Sequence, residues 1–160
     1  MEERQAGGRP DTASLVLIAN LAATAVMVGV IWYVQLVHYP LMAGWPHEDF
    51  GLWEARHRER TGLVVIPPML VEGITAAALL GGRLRRVPLW MPWAAAVLLG
   101  LVWLSTFALQ VPCHELLSMG WNDDVHRRLV STNWIRTIGW TLRLGIVAWM
   151  AGLLFDDGPG

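Results

Sequence analysis

Four apolar runs, each long enough to cross a bilayer, constrain this chain more than any other feature. The first extends from about Ala13 to Met42, broken only by Asn20, Gln35 and His38, and the second from about Thr61 to Leu80 with Glu72 in its middle. The third extends from about Leu89 to Val111, and the fourth from about Trp134 to Phe155 with Arg143 inside it. Each reaches the roughly 20 residues that cross a hydrocarbon core of roughly 30 Å. Lipid offers the backbone no hydrogen-bond partners, so each run must be a helix. The expected fold is all-α: an integral membrane four-helix bundle with spans at 13–42, 61–80, 89–111 and 134–155. Two polar, partly helical segments lie on one membrane face, with a polar tail at 1–12 and a short one at 156–160. Composition agrees, since 54% of the 160 residues are hydrophobic and the mean hydropathy is +0.42, above the usual range of a soluble domain.

The leader "MEERQAGGRPDTAS" carries both signs of charge, and the apolar run behind it exceeds the 7 to 15 residues of a signal-peptide core. It reads as a retained anchor. All twelve basic residues are arginines, scattered along a chain of net charge -1. That is not the footprint of a nucleic-acid binder, and no nucleic-acid partner is expected. Arg83, Arg85 and Arg86 in "GGRLRRVP", with Arg4 and Arg9, favour cytoplasmic termini at a plasma (bacterial inner) membrane. Arg56, Arg58, Arg60, Arg127 and Arg128 in the other links balance that count. The lone Cys113 excludes an internal disulfide or a C-x-x-C redox pair, and its expected role is that of an inert interfacial thiol.

Most of the ten tryptophans suit interfacial belts, with Trp90 and Trp93 at one membrane edge and Trp45, Trp53, Trp121 and Trp134 at the other. Trp32, Trp103, Trp140 and Trp149 fall within spans, where helix packing is the default reading. A weak internal echo relates "QLVHYPLMAGW" (Gln35 to Trp45) to "QVPCHELLSMGW" (Gln110 to Trp121). It suggests two helix-segment-helix units of like direction and places both polar segments on the same side.

Chemistry gathers there. Glu54 and His57 stand three apart in "WEARHRER", as do Asp123 and His126 in "NDDVHRR", so on a helix each pair shares a face. Carboxylate-x-x-histidine on two segments resembles half of a di-iron bundle site, with Glu72 and Glu115 as remaining candidates. A single metal held by some of His38, His57, His114 and His126 needs fewer coincidences. The plain alternative is a solvated face, because Glu54 and Arg58, and Asp123 and Arg127, are i,i+4 acid-base pairs. His47 reads as a loop residue. His38 and His114 each follow a glutamine by about one turn at the end of a span.

Inside the bilayer, Glu72 and Arg143 cost roughly 2.5 to 3.5 kcal/mol each on insertion scales and call for partners, a cavity or a task. One expectation is a structural ion pair between the second and fourth spans. The other is a catalytic role, with Glu72 moving protons or gripping a polar ligand and Arg143 holding an anionic or phenolate oxygen. Pro67 and Pro68, one turn before Glu72, suggest a cavity lined by freed carbonyls.

The four-span layout, the Trp53-x-x-x-His57-Arg58 motif, and the proline-rich end of the third span leading into "LVSTNWIRT" resemble the anthrone-oxygenase-like family of small membrane proteins. This chain departs from the family pattern in its histidine-bearing "VHYP" and "VPCHELL" segments. The resemblance covers the chain from about His38 onward and implies oxidation of aromatic polyketide intermediates by oxygen. By position it carries over Trp53, His57, Arg58, Asn133, Trp134 and Arg136 as binding residues. Three expectations follow. The first is a membrane oxidoreductase acting on a lipophilic aromatic or quinone-like small molecule, with Glu72, Arg143 and His57 catalytic and a transition metal as candidate cofactor. The second is a proton-coupled transporter or channel titrating at Glu72. The third is a non-catalytic subunit docking with a second copy or a membrane partner through small residues such as those of "GITAAALLGG".

Overall fold

The computed structural model describes residues 11–82, 84 and 86–155, with Phe155 described by its backbone alone. Arg4, Arg9, Arg83 and Arg85, on which the orientation argument leans, lie outside the described residues, as do residues 1–10 and the tail 156–160. The chain is a helical membrane bundle. Helix α1 (Thr12–Tyr33), a π-helical segment (Val34–His38) and α2 (Tyr39–Met42) form one rod, and α3 (Phe50–Gly81) the second. Helix α4 (Trp90–Ser105), a second π-helical segment (Thr106–Gln110) and α5 (Val111–Ser118) form the third, and α6 (Asp123–Phe155) the fourth. All four rods are long and apolar enough to span a membrane, which makes this a multi-pass membrane protein.

At 29 to 32 residues each rod is about 45 Å long at 1.5 Å per residue, well beyond a hydrocarbon core of roughly 30 Å. The surplus lies largely at one end: "WEARHRER" is the opening of α3 and "NDDVHRR" the opening of α6, each continuous with the apolar run that follows. Local chemistry sets the starts. The Asp11 carboxylate accepts from the Ser14 amide at 2.8 Å and caps α1, and the Asn122 side chain accepts from the amides of Asp124 and Val125 at 3.0 and 3.1 Å to cap α6. Gly120 precedes that cap at φ +146°, a conformation natural to glycine.

Proline explains the π segments. Pro40 and Pro112 each stand two residues beyond one, after His38 and Gln110. A proline inside a helix lacks an N–H and crowds the carbonyl four residues earlier, and a wider turn absorbs both defects. The two halves therefore match with their prolines in register, which pairs His38 with Gln110 rather than Gln35 with Gln110. Pro67 and Pro68 leave α3 helical throughout.

Helix α1 packs against α3 and α6, and α4 against the same two, so the rods stand in ring order with antiparallel neighbours. Three apolar clusters fill the axis. Leu17, Leu79, Met91, Val147 and Met150 pack at the end holding the termini; Met27, Ile31, Val102 and Trp140 pack midway; Tyr39, Met42, Phe50, Cys113, Leu117 and Leu129 pack at the polar end. Cys113 is buried there. Outward positions such as Leu63, Val64, Ile74, Leu104 and Trp93 are exposed, as a lipid-facing surface requires.

Candidate functional site

A close backbone approach organises the polar end. A Cβ on Gly51 would lie 2.6 Å from the Ser118 carbonyl oxygen, so only glycine lets the start of α3 meet the end of α5 at this spacing. One turn along each helix from this contact are Glu54 and His114. Glu54 is completely buried, and its Oε1 accepts from His114 Nδ1 at 2.6 Å. The other imidazole nitrogen, Nε2, lies 3.0 Å from the Tyr39 hydroxyl. An ionised carboxylate only accepts, so it fixes Nδ1 as the protonated nitrogen and leaves Nε2 of a neutral ring as acceptor for Tyr39. Carboxylate, imidazole and phenol thus form a proton relay of the kind that general acid–base catalysis uses. The solvated-face expectation for Glu54 and Arg58 is overturned: Glu54 turns inward to His114, and Arg58 reaches Ser118 Oγ at 3.3 Å and Glu115 at 3.7 Å.

Beside the relay, Trp53, His57 and His38 form a ring stack. Trp53 and His57 have centroids 5.3 Å apart and planes at 7°, and His57 and His38 are 4.3 Å apart at 21°. The His57 ring edge lies 3.2 Å from the Thr61 hydroxyl, and the buried His38 Nε2 has no hydrogen-bond partner. Glu54 Oε2 and Arg136 Nε are likewise buried without partners, an unusual concentration of unmet polar atoms.

Several of these groups border a cavity of about 290 Å³, whose lining does not include Glu54, Trp53 or His38. Its polar end is lined by Tyr39, His57, Arg58, His114 and Arg136, and its apolar body by residues such as Met27, Ile31, Val65 and Met69. Trp140 also lines it, with the Arg136 guanidinium carbon 5.6 Å from its ring centroid. An apolar chamber with a few convergent polar groups at one end is the usual form of a small-molecule site. Of the other motif residues, Asn133 is buried and donates to Gln35 Oε1 at 2.8 Å, while Trp134 is 40% exposed and meets Trp32 edge to face. Neither lines the cavity.

Glu72 and Arg143 come together elsewhere. Both are fully buried, and Arg143 Nη1 lies 2.5 Å from Glu72 Oε1. Arg143 also donates to Thr24 Oγ1, to Asn20 Oδ1 at 3.0 Å and to the Ala95 carbonyl at 3.2 Å. Glu72 accepts from Thr24 at 2.9 Å and, through Oε2, from the Trp140 indole at 3.1 Å. The network joins all four rods, and neither Glu72 nor Arg143 lines the cavity. Trp140 stands between: its ring lines the chamber and its N–H ends on Glu72.

The four histidines are not gathered into one centre. Among the described residues no three His, Cys, Asp or Glu side chains are arranged to hold a metal ion. His126 is apart from the other three, with Nε2 2.8 Å from the Tyr39 carbonyl oxygen and its ring against Trp121. His38 and His57 meet face to face, which does not converge their lone pairs, and His114 has both nitrogens engaged. The paired di-iron pattern is not assembled either, since Glu54 serves His114 and Asp123 accepts from Trp121 Nε1 at 3.0 Å. The i,i+4 pairing expected of Asp123 and Arg127 is replaced by Arg127 with Asp124.

No known family model matches the chain, and neither a curated protein nor a solved structure is matched by it. The resemblance to the anthrone-oxygenase-like family therefore stands on its short motifs.

Sequence reasoning missed Glu54 as a relay member and Tyr39 altogether. A signal for Tyr39 existed: it sits between His38 and Pro40, and a tyrosine just beyond a helix distortion is well placed to face a cavity.

Proposed function

We propose that this protein is a membrane-embedded oxidoreductase of the oxygenase type, acting on a lipophilic aromatic or quinone-like substrate. What supports the reading is the chain from Glu54 through His114 to Tyr39, which ends on the wall of an apolar chamber. In the proposed reaction, Tyr39 takes a proton from an acidic C–H or O–H of the substrate as its own hydroxyl proton passes to Nε2 of His114, which Glu54 holds through Nδ1. Arg136 and Arg58 face the oxygen on which negative charge collects. Dioxygen is the oxidant. For a methylene flanked by aromatic rings and conjugated to a carbonyl, both C–H bonds break, one oxygen atom stays on carbon as a new carbonyl, and the other leaves as water. His57 forms the aromatic wall of the site, and Trp53 stacks on it without lining the chamber.

The same geometry assigns Glu72 and Arg143 to holding the bundle together, because every polar atom of the pair already has a partner inside the protein. A proton-coupled transporter titrating at Glu72 would have to break that network in each cycle. In this reading the termini face the cytoplasm of a bacterial inner membrane and the relay lies at the opposite face; the short arginine-rich link between the second and third spans supports it, while the arginines of the other two links weigh equally against it by count.

The test uses the full chain without a histidine tag, in lipid nanodiscs, with oxygen uptake measured on anthrone and on a lipophilic hydroquinone. His114→Gln and Glu54→Gln are expected to lower the rate roughly a hundredfold or more, the usual contribution of a positioned acid or base. Unchanged uptake in both variants, or none in the wild-type chain with either substrate, would overturn the reading.

A further inference from the structure

The chamber has a side without a helix wall. Helix α3 packs against α4 and against α5, but the π segment Thr106–Gln110 between them packs on α6 and its own neighbours, with no comparable packing on α3. At that level the cavity is bordered by Gly62 and Ile66 of α3 and by Thr106 and Phe107 of the π segment. Ile66 is 55% exposed and Phe107 62%, so this rim faces out of the bundle. A Cβ on Gly62 would meet only the tip of Ile66, at 3.6 Å, so no neighbouring helix closes over it. Ile66 lies five residues past the start of the second apolar run at Thr61, and Phe107 four before the end of the third at Val111, so both stand roughly 6 to 8 Å inside the hydrocarbon at 1.5 Å per residue. An opening at that depth communicates with acyl chains rather than with water.

Resting on the reading of the chamber as a substrate site, we propose that the substrate arrives from within the bilayer through this window, with its acidic oxygen leading. The guanidinium of Arg136 and the relay lie inward of the rim, so an amphiphile advancing this way meets its charge partners last and keeps its apolar body beside lipid. The π segment supplies the gap: its widened turn, forced by Pro112, carries Phe107 to the rim while Gln110, on the same segment, stays buried. The substrate class is thereby narrowed to bilayer-dissolved molecules with one acidic or phenolic end.

Labelling of an introduced cysteine tests this in nanodiscs with anthrone dissolved in the lipid. The native Cys113 is 3% exposed and stays unlabelled. Ile66→Cys and Phe107→Cys, each carrying either a methylthio group or a bulky pyrene maleimide, are compared with Leu142→Cys on α6, whose native leucine is 55% exposed. The bulky label is expected to slow oxygen uptake about tenfold relative to the methylthio label at 66 and 107, the effect of a barrier higher by ~1.4 kcal/mol, and to leave position 142 unchanged. Equal rates with small and bulky labels at both rim positions, in a chain that turns over anthrone, would overturn the window and leave the oxidoreductase reading standing. Absence of uptake even in the unlabelled wild-type chain would overturn both.

Discussion

Replacing Arg143 with methionine removes the cation from a site in which neither it nor Glu72 is exposed. Four donor contacts disappear: to Glu72, Thr24, Asn20 and the Ala95 carbonyl. Treated as independent interhelical hydrogen bonds in a bilayer, at about 0.6 kcal/mol each, they would contribute roughly 2 to 3 kcal/mol together. The larger effect is on Glu72, whose carboxylate keeps only Thr24 and the Trp140 indole as donors. A buried charge stripped of its counter-ion costs ~3–5 kcal/mol, and that is the expected destabilisation of Arg143→Met. The double variant Glu72→Leu with Arg143→Met removes the stranded charge as well. It is expected to recover about half of the loss or more, since a buried pair replaced by apolar groups is often near neutral. The assay is reversible unfolding of detergent-solubilised protein, run as a double-mutant cycle. An Arg143→Met chain within about 0.5 kcal/mol of wild type, or losses that simply add in the double variant, would refute the claim that the network is a single coupled unit.

Gly51→Ala places a methyl group against the unyielding Ser118 backbone and is expected to destabilise by ~1–3 kcal/mol. It should also separate Glu54 from His114, so that oxygen uptake falls in protein whose circular dichroism remains helical; retained activity would count against the relay. Gly145→Ala is the control, because a Cβ there would meet nothing within 4 Å. Arg136→Gln is expected to weaken anthrone binding about tenfold, near the low end of the ~1.5–3 kcal/mol of a charged hydrogen bond, as read from titration of nanodiscs against empty ones. Metal content by mass spectrometry is expected to be well below stoichiometric, given the face-to-face His38 and His57 and the occupied nitrogens of His114. Stoichiometric metal lost in both His57→Ala and His114→Ala would reverse that.

The membrane class, the four spans and the grouping of both polar segments at one end were legible in the sequence, because each follows from hydrophobic run length and the period of a helix. The pairing of Glu72 with Arg143 was partly legible: two opposite charges at similar depth in oil have few other ways to be satisfied. Run length also set the limits of what could be read. Apolar content alone puts the starts of these spans near 61 and 134, whereas α3 and α6 begin at Phe50 and Asp123. A helix continues past the apolar boundary as long as its backbone bonds do.

What the sequence by itself determined is the solvent of this protein and the number of times it crosses that solvent, since lipid punishes every unpaired backbone group in the same way whatever the neighbours. Which polar residues work together was decided only by tertiary structure. Glu54 sits three residues from His57 and four from Arg58, yet it bonds to His114 sixty residues away, because Gly51 lets another helix come closer than either local partner can reach. Spacing along one helix offers a choice of contacts; the packing of a second helix selects among them.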